Sequence, residues 1–253
     1  MTDNRIALIT GASRGIGRAC AEKLAGQGFK IALNDISEES ALEAAANMTR
    51  AGYEVLACPA DVADYDGVSK MVDKIVAHWG GVHVLVNNAG ISPKRPDRRK
   101  AEIVEMDSDE WRRVVDVNLN GVFNCIRAAG PVLKAAGWGR IINISSMAAR
   151  AYSEVPAAHY VATKTALLGL TRCVAGELAP SNVLVNAICP GRIESEMMLH
   201  FPAEENAAIL SKIPRGRFGT AQDIANLVGF LCSDEADYVV GATFDVSGGR
   251  NMV

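Results

Sequence analysis

The chain has 253 residues, 49% of them apolar, with 26 basic and 29 acidic side chains; this is core material for one large α/β domain or two small ones, and it gives no general argument for nucleic acid or an anionic membrane as partner. The N-terminus MTDNRIALIT lacks the charged and apolar regions of a secretory signal, and no apolar run approaches the about 20 residues that span a bilayer. Six cysteines are scattered without CxxC pairs or metal-ligand spacing, so a reduced, soluble, cytoplasmic protein without a metal site is expected.

Short apolar runs alternate with helical patterns. The first strand, 5–10, enters TGASRGIGRA, with glycines at Gly11, Gly15 and Gly17. Glycine allows the tight turn and lets backbone N–H groups approach a pyrophosphate at the positive end of the following helix, 16–27. A second strand, 30–34, ends at Asp35, a carboxylate placed to accept hydrogen bonds from adenosine ribose hydroxyls and to repel a 2′-phosphate. The competing role for Asp35 is a cap for the helix 38–51. Arg14, in the glycine loop, could pair with a 2′-phosphate, but a carboxylate at the ribose outweighs one flexible arginine and favours NAD over NADP. Strand 54–58, helix 67–79 and strand 83–87 follow. The basic loop 91–100 (ISPKRPDRRK) comes next, where Lys94, Arg95, Arg98, Arg99 and Lys100 face only Asp97. It would attract an acidic substrate or be simply solvated.

The second half reads as helix 108–136, strand 140–145, helix 158–178, strand 184–188, an irregular stretch 192–218 containing PAEENAAIL, helix 221–232 and strand 242–246. Near-continuous apolar strands such as VHVLV and RIINI imply a sheet covered on both faces, and βα repetition makes it parallel. The expectation is a single domain, 1–253, of the α/β class: a doubly wound, Rossmann-like sheet of about seven strands. Tyr160 and Lys164 sit one turn apart on helix 158–178. A phenol is too weak an acid to be a good base at neutral pH, and an ammonium one turn away favours the phenolate. By itself such a pair is an ordinary surface contact.

TGASRGIG, the DV of CPADVAD, NNAG, VNLNGVF, INISS, YVATK and CPG occur in that order. On these motifs the chain resembles the short-chain dehydrogenase/reductase family over essentially its whole length. The resemblance implies a nicotinamide-dependent enzyme that interconverts a secondary alcohol and a ketone. Asn118, Ser146, Tyr160 and Lys164 would be catalytic: Tyr160 as general acid/base, Ser146 (not Ser145) on the substrate oxygen, and Asn118 holding a water that links Lys164 to solvent. The cofactor would meet Gly11, Ser13, Arg14, Gly15, Ile16, Gly17, Asp35, Asp61, Val62, Asn88, Ala89, Gly90, Tyr160, Lys164, Pro190, Gly191, Ile193 and Ser195. Asp61 and Val62 would border the adenine, Ile193 and Ser195 the nicotinamide carboxamide. His159 is expected at a structural or substrate-rim position.

Within the family the pattern is similar to 3-oxoacyl-carrier-protein reductases. Basic residues that such reductases present to the carrier are replaced here by Ala136, Gly137 and Gly176, so a sugar, polyol or other secondary alcohol is an equal candidate. The resemblance also implies a homotetramer built through 108–136, 158–178 and the C-terminal strand. The rival class is a catalytically silent dinucleotide-binding regulator of the same fold, which the presence of all four catalytic positions opposes.

Overall fold

In the computed structural model, residues 4–95, 99–194, 203–250 and 252 are described. Seven strands form the central sheet: β1 (Ile6–Ile9), β2 (Lys30–Leu33), β3 (Val55–Ala57), β4 (Val84–Asn87), β5 (Gly139–Ile144), β6 (Val183–Pro190) and β7 (Thr243–Val246). Their order is β3-β2-β1-β4-β5-β6-β7 and every pairing is parallel. The chain moves outward from β1 to β3, then returns to the other side of β1 as β4. That reversal opens a crevice at the carboxyl ends of β1 and β4, the place where open α/β sheets bind ligands.

Side chains alternate across the sheet. Ala7 and Ile9 join one core with Leu24, Ile31, Leu33, Ile224 and Val228, while Ile6 and Leu8 join the opposite core with Met71, Ile75, Leu133 and Val174. The first core is closed by α1 (Gly15–Gly26), α2 (Glu38–Arg50) and α8 (Ala221–Leu231). The second is closed by α3 (Tyr65–Trp79), α5 (Gly121–Ala136) and α6 (Ala158–Leu178). Each fully buried Leu or Ile contributes about 1.5–3 kcal/mol over exposure, so both faces anchor the strands whose ends build the crevice. Helix starts carry the expected caps: Ser37 on α2, Asp64 on α3, and a reciprocal Thr220–Asp223 box on α8.

One expectation is corrected. The helix read over 108–136 is interrupted: α4 (Ser108–Val115) passes through a π-turn, Asp116–Asn120, before α5 begins. Strand β5, otherwise largely apolar, also carries a fully buried charged side chain, Arg140. Its guanidinium donates to the carbonyl of Gly139 at 2.9 Å, meets Asp237 at 3.2 Å and lies 4.3 Å from the Trp138 ring centre. The PAEENAAIL segment forms a short helix, α7 (Ala203–Leu210). Among the described residues, no helix is long and apolar enough to cross a membrane.

Candidate active site

The glycine loop leaves β1 with Gly11 at φ 60° and Gly15 at φ 58°, both in the left-handed region that a Cβ disfavours. Gly17 begins the close packing of α1: a Cβ there would stand 2.3 Å from the Gly11 carbonyl and 2.5 Å from Asn88 Nδ2. Asn88 in turn donates to the carbonyls of Thr10 and Gly11, both at 2.9 Å. Thr10 Oγ1 accepts from the amides of Asn88 and Ala89 at 3.0 Å, tying NNAG to the loop. The Asp35 carboxylate accepts from the Ser13 hydroxyl, from the Ser13 amide at 3.4 Å and from the Ser37 amide at 3.2 Å. It is therefore a clasp on the glycine loop. Arg14 is exposed at the start of α1.

A groove of about 700 Å³ follows from here. Gly11, Arg14, Gly15, Ile16, Asp35, Asp61, Val62, Asn88, Ala89, Gly90, Ser146, Tyr160, Lys164, Pro190, Gly191 and Ile193 line it together. The cradle fits a dinucleotide: it starts at a helix N-terminus and Gly11, Gly15 and Gly90 line it without side chains, while Gly17 lies behind it, buried against Gly11 and Asn88. Ser13 lies beside it through Asp35, and Ser195 lies outside the described residues. Arg113 also reaches the groove, donating to Asp61 at 3.2 Å.

At the far end, two adjacent serines have different jobs. Ser145 is buried and donates to the Lys164 carbonyl at 2.7 Å, holding α6 against β5. Ser146 faces the groove beside Tyr160 and accepts from the Ala148 amide at 3.1 Å. Lys164 is buried, donates to the Ile144 carbonyl at 2.8 Å, and lies close enough to Gly90 that a Cβ there would meet its Nζ at 3.3 Å. Burial pulls the Lys164 ammonium down to about 8 and pushes the Tyr160 phenol above its ordinary range, with the neighbouring Ser146 opposing the latter. The phenolate that the i, i+4 spacing suggested is not favoured here, because Nζ sits 5.8 Å from the Tyr160 ring centre and desolvation dominates.

Asn118 sits in the π-turn and is fully buried. Its Oδ1 accepts from the Ile91 amide at 2.7 Å and its Nδ2 donates to the Ile91 carbonyl at 2.9 Å. The side chain thus fixes the chain beside Gly90. His159 is buried, with Nε2 2.8 Å from Glu110 on α4, a structural position.

The family model for enoyl-(acyl carrier protein) reductase matches residues 11–251. The chain is 43% identical to "3-oxoacyl-[acyl-carrier-protein] reductase FabG" of Staphylococcus aureus (strain Mu50 / ATCC 700699), over the whole of both chains. It belongs to the short-chain dehydrogenase/reductase family. As a family member, it is an NAD(P)-dependent dehydrogenase/reductase acting on a CH–OH or keto group. Two solved short-chain reductases and dehydrogenases are close in shape. A 3-oxoacyl-[acyl-carrier protein] reductase from Brucella melitensis with bound NAD has TM-score 0.91 at 39% identity, covering 99% of this chain and 92% of that one. A gluconate 5-dehydrogenase from Burkholderia cenocepacia J2315, in complex with NADP and tartrate, has TM-score 0.91 at 34% identity, covering 98% and 95%.

The sequence reading missed a second cavity of about 280 Å³ that Tyr160 and Ser146 line together with the groove. Lys94, Tyr152, Arg192, Ile209 and Arg250 line it with those two residues. The basic loop divides. Lys94 turns into this cavity and donates to the Val155 carbonyl, Arg95 pairs with Glu105 at 2.8 Å, and Lys100 lies 5.9 Å from the Tyr152 ring centre. Arg98 and Asp97 lie outside the described residues. Arg192 and Arg250 occur in no motif, so only the fold brings them to Lys94.

Proposed function

We propose that this chain is an NAD-preferring oxidoreductase that interconverts a secondary alcohol and a ketone, with Tyr160 as general acid/base. The observation that carries the reading is that Tyr160 and Ser146 line both the dinucleotide groove and the second cavity, at the junction of the two. A bound nicotinamide supplies or accepts the hydride. The residues of the chain must then orient the carbonyl and move one proton. With its phenol held in the protonated form, Tyr160 donates to the substrate oxygen in the reductive direction, while Ser146 hydrogen-bonds the same oxygen as charge develops on it. Lys164 stands behind both, within reach of the groove at Gly90. Asn118, packed beside Gly90 and Lys164, would hold the water that links Lys164 to solvent. Asp35 at the ribose end supports NAD over NADP.

The names of the FabG relatives support a 3-oxoacyl thioester as substrate. A second substrate reading, a sugar- or polyol-type alcohol, is favoured by the neutral Ala136, Gly137 and Gly176, all of them exposed where carrier-facing cations would be needed. A homotetramer in the cytoplasm completes the proposal.

The test is Tyr160→Phe. Loss of the proton donor should lower kcat by about 10²–10⁴, with NADH titrations unchanged. Full turnover in this variant would remove the mechanism.

A further inference from the structure

Three cations from distant parts of the chain converge on the cavity beyond Tyr160. Lys94 comes from the loop after β4, Arg192 from the loop after β6 and Arg250 from the C-terminal tail. No Asp or Glu lines this cavity among the described residues. The remaining polar lining is hydroxyl: Ser92, Ser153 and Tyr152 beside the catalytic pair. Resting on the oxidoreductase reading above and deepening its substrate side, we propose that Lys94, Arg192 and Arg250 recognise a carboxylate on a compact oxo or hydroxy acid.

Electrostatics give the cluster its meaning. Like charges gathered in one partly desolvated space repel, and the repulsion is relieved when an anion enters. Both the Lys94 ammonium and the Arg192 guanidinium are held below their ordinary ranges, first by burial. Arg192 and Lys100 add repulsion on Lys94, and Arg250 adds it on Arg192. A cavity maintained in this state is set for negative charge, and a guanidinium suits a carboxylate in two-point contact. Size narrows the class. About 280 Å³ lies just below the range of drug-sized pockets, which suits a short acid. The cations also sit on the reacting side of the groove. They would therefore bind a charge carried by the substrate itself, not one at the far end of a long carrier arm.

The experiment compares charged and neutral partners of the same carbon skeleton. Acetoacetate and methyl acetoacetate are reduced with NADH, gluconate and glucitol are oxidised with NAD, and acetoacetyl-CoA serves as the thioester arm. The acid should exceed its neutral partner in kcat/KM by about tenfold or more, the effect of one charge-assisted contact. Arg250→Gln should narrow that ratio by about tenfold, mainly through the KM of the acid, and Arg250→Lys should restore part of it. NADH binding, measured by fluorescence, checks that each variant is folded, and Lys94→Gln repeats the test from another segment. Neutral partners turned over as well as the acids, an unmoved ratio in both variants, or a thioester preferred more than tenfold would each overturn the carboxylate inference while leaving the oxidoreductase reading intact. If NADH binds but no carbonyl or alcohol, charged or neutral, is turned over, the oxidoreductase reading falls and the inference falls with it.

Discussion

Lys164 shows how one buried side chain is held at a cost to the fold. Its ammonium is 4% exposed, and burial lowers it from 10.5 to about 8. That fall corresponds to about 3 kcal/mol against the charged form. The sign is as follows: the folded value lies below the unfolded one, so the cost is fully present below pH 8 and is relieved as the pH rises from 8 to 10.5. Lys164→Met removes the charge and forfeits the hydrogen bond to Ile144, about 1 kcal/mol. Without added dinucleotide, the variant should therefore be more stable than the parent by about 2 kcal/mol at pH 7, and inactive. The gap should close by about pH 10 in denaturant titrations; a variant less stable at pH 7 would contradict this account. Asp35 is tested the same way. Asp35→Ala removes the ribose acceptor and the clasp on Ser13, so the NADP-to-NAD ratio of kcat/KM should rise about tenfold. Adding Arg14→Ala should abolish the gain, and an unchanged ratio would remove Asp35 from cofactor choice.

At the scale of elements, the strands were legible because each is a short apolar run between turns, and the six long helices because each shows i, i+3, i+4 apolar spacing. The π-turn was not legible. VNLNGVF carries helix-compatible periodicity, and only tertiary contact decides that the turn widens there. Asn118 must meet both backbone groups of Ile91, and α5 must approach close enough that a Cβ at Gly121 would stand 2.7 Å from Val62. The burial of Arg140 was not legible for a related reason, since its partners Trp138 and Asp237 come from a neighbouring turn and the far end of the chain. The candidate catalytic and cofactor positions were readable through ordered motifs. The cavity beyond Tyr160 was not, because Arg192 and Arg250 carry no local signal. The π-turn supports a direct prediction. Asn118→Leu keeps the volume but leaves the Ile91 amide and carbonyl unpaired, at about 2–4 kcal/mol. Its melting curve should fall accordingly, and hydrogen exchange at the Ile91 amide should accelerate; slow exchange there would show that Asn118 does not hold the chain here.

At the scale of the whole molecule, the sheet and its two cores account for nearly every large apolar side chain except those on a few outer surfaces. Phe123 on α5 is 50% exposed, and Phe230 and Val240 are exposed near the C-terminal strand. On α6 the exposed residues Ala162, Ala166, Gly169, Cys173 and Gly176 recur at alternating spacings of four and three, a seam of small side chains along one face. Such a seam lets a second helix approach closely, and a two-fold axis would set α6 against its own copy. The proposed tetramer thus has a surface that can be tested without disturbing the fold. A Cβ at Gly169 meets nothing within 4 Å in the single chain, so Gly169→Glu should fold normally. Across a two-fold interface the same change brings two carboxylates together in a dry contact, which is costly. Sedimentation should find four 26.8 kDa chains in the parent and a smaller species with unaltered circular dichroism in the variant. A parent that sediments as one chain would refute the assembly outright. A variant that stays tetrameric would move the contact away from this face of α6.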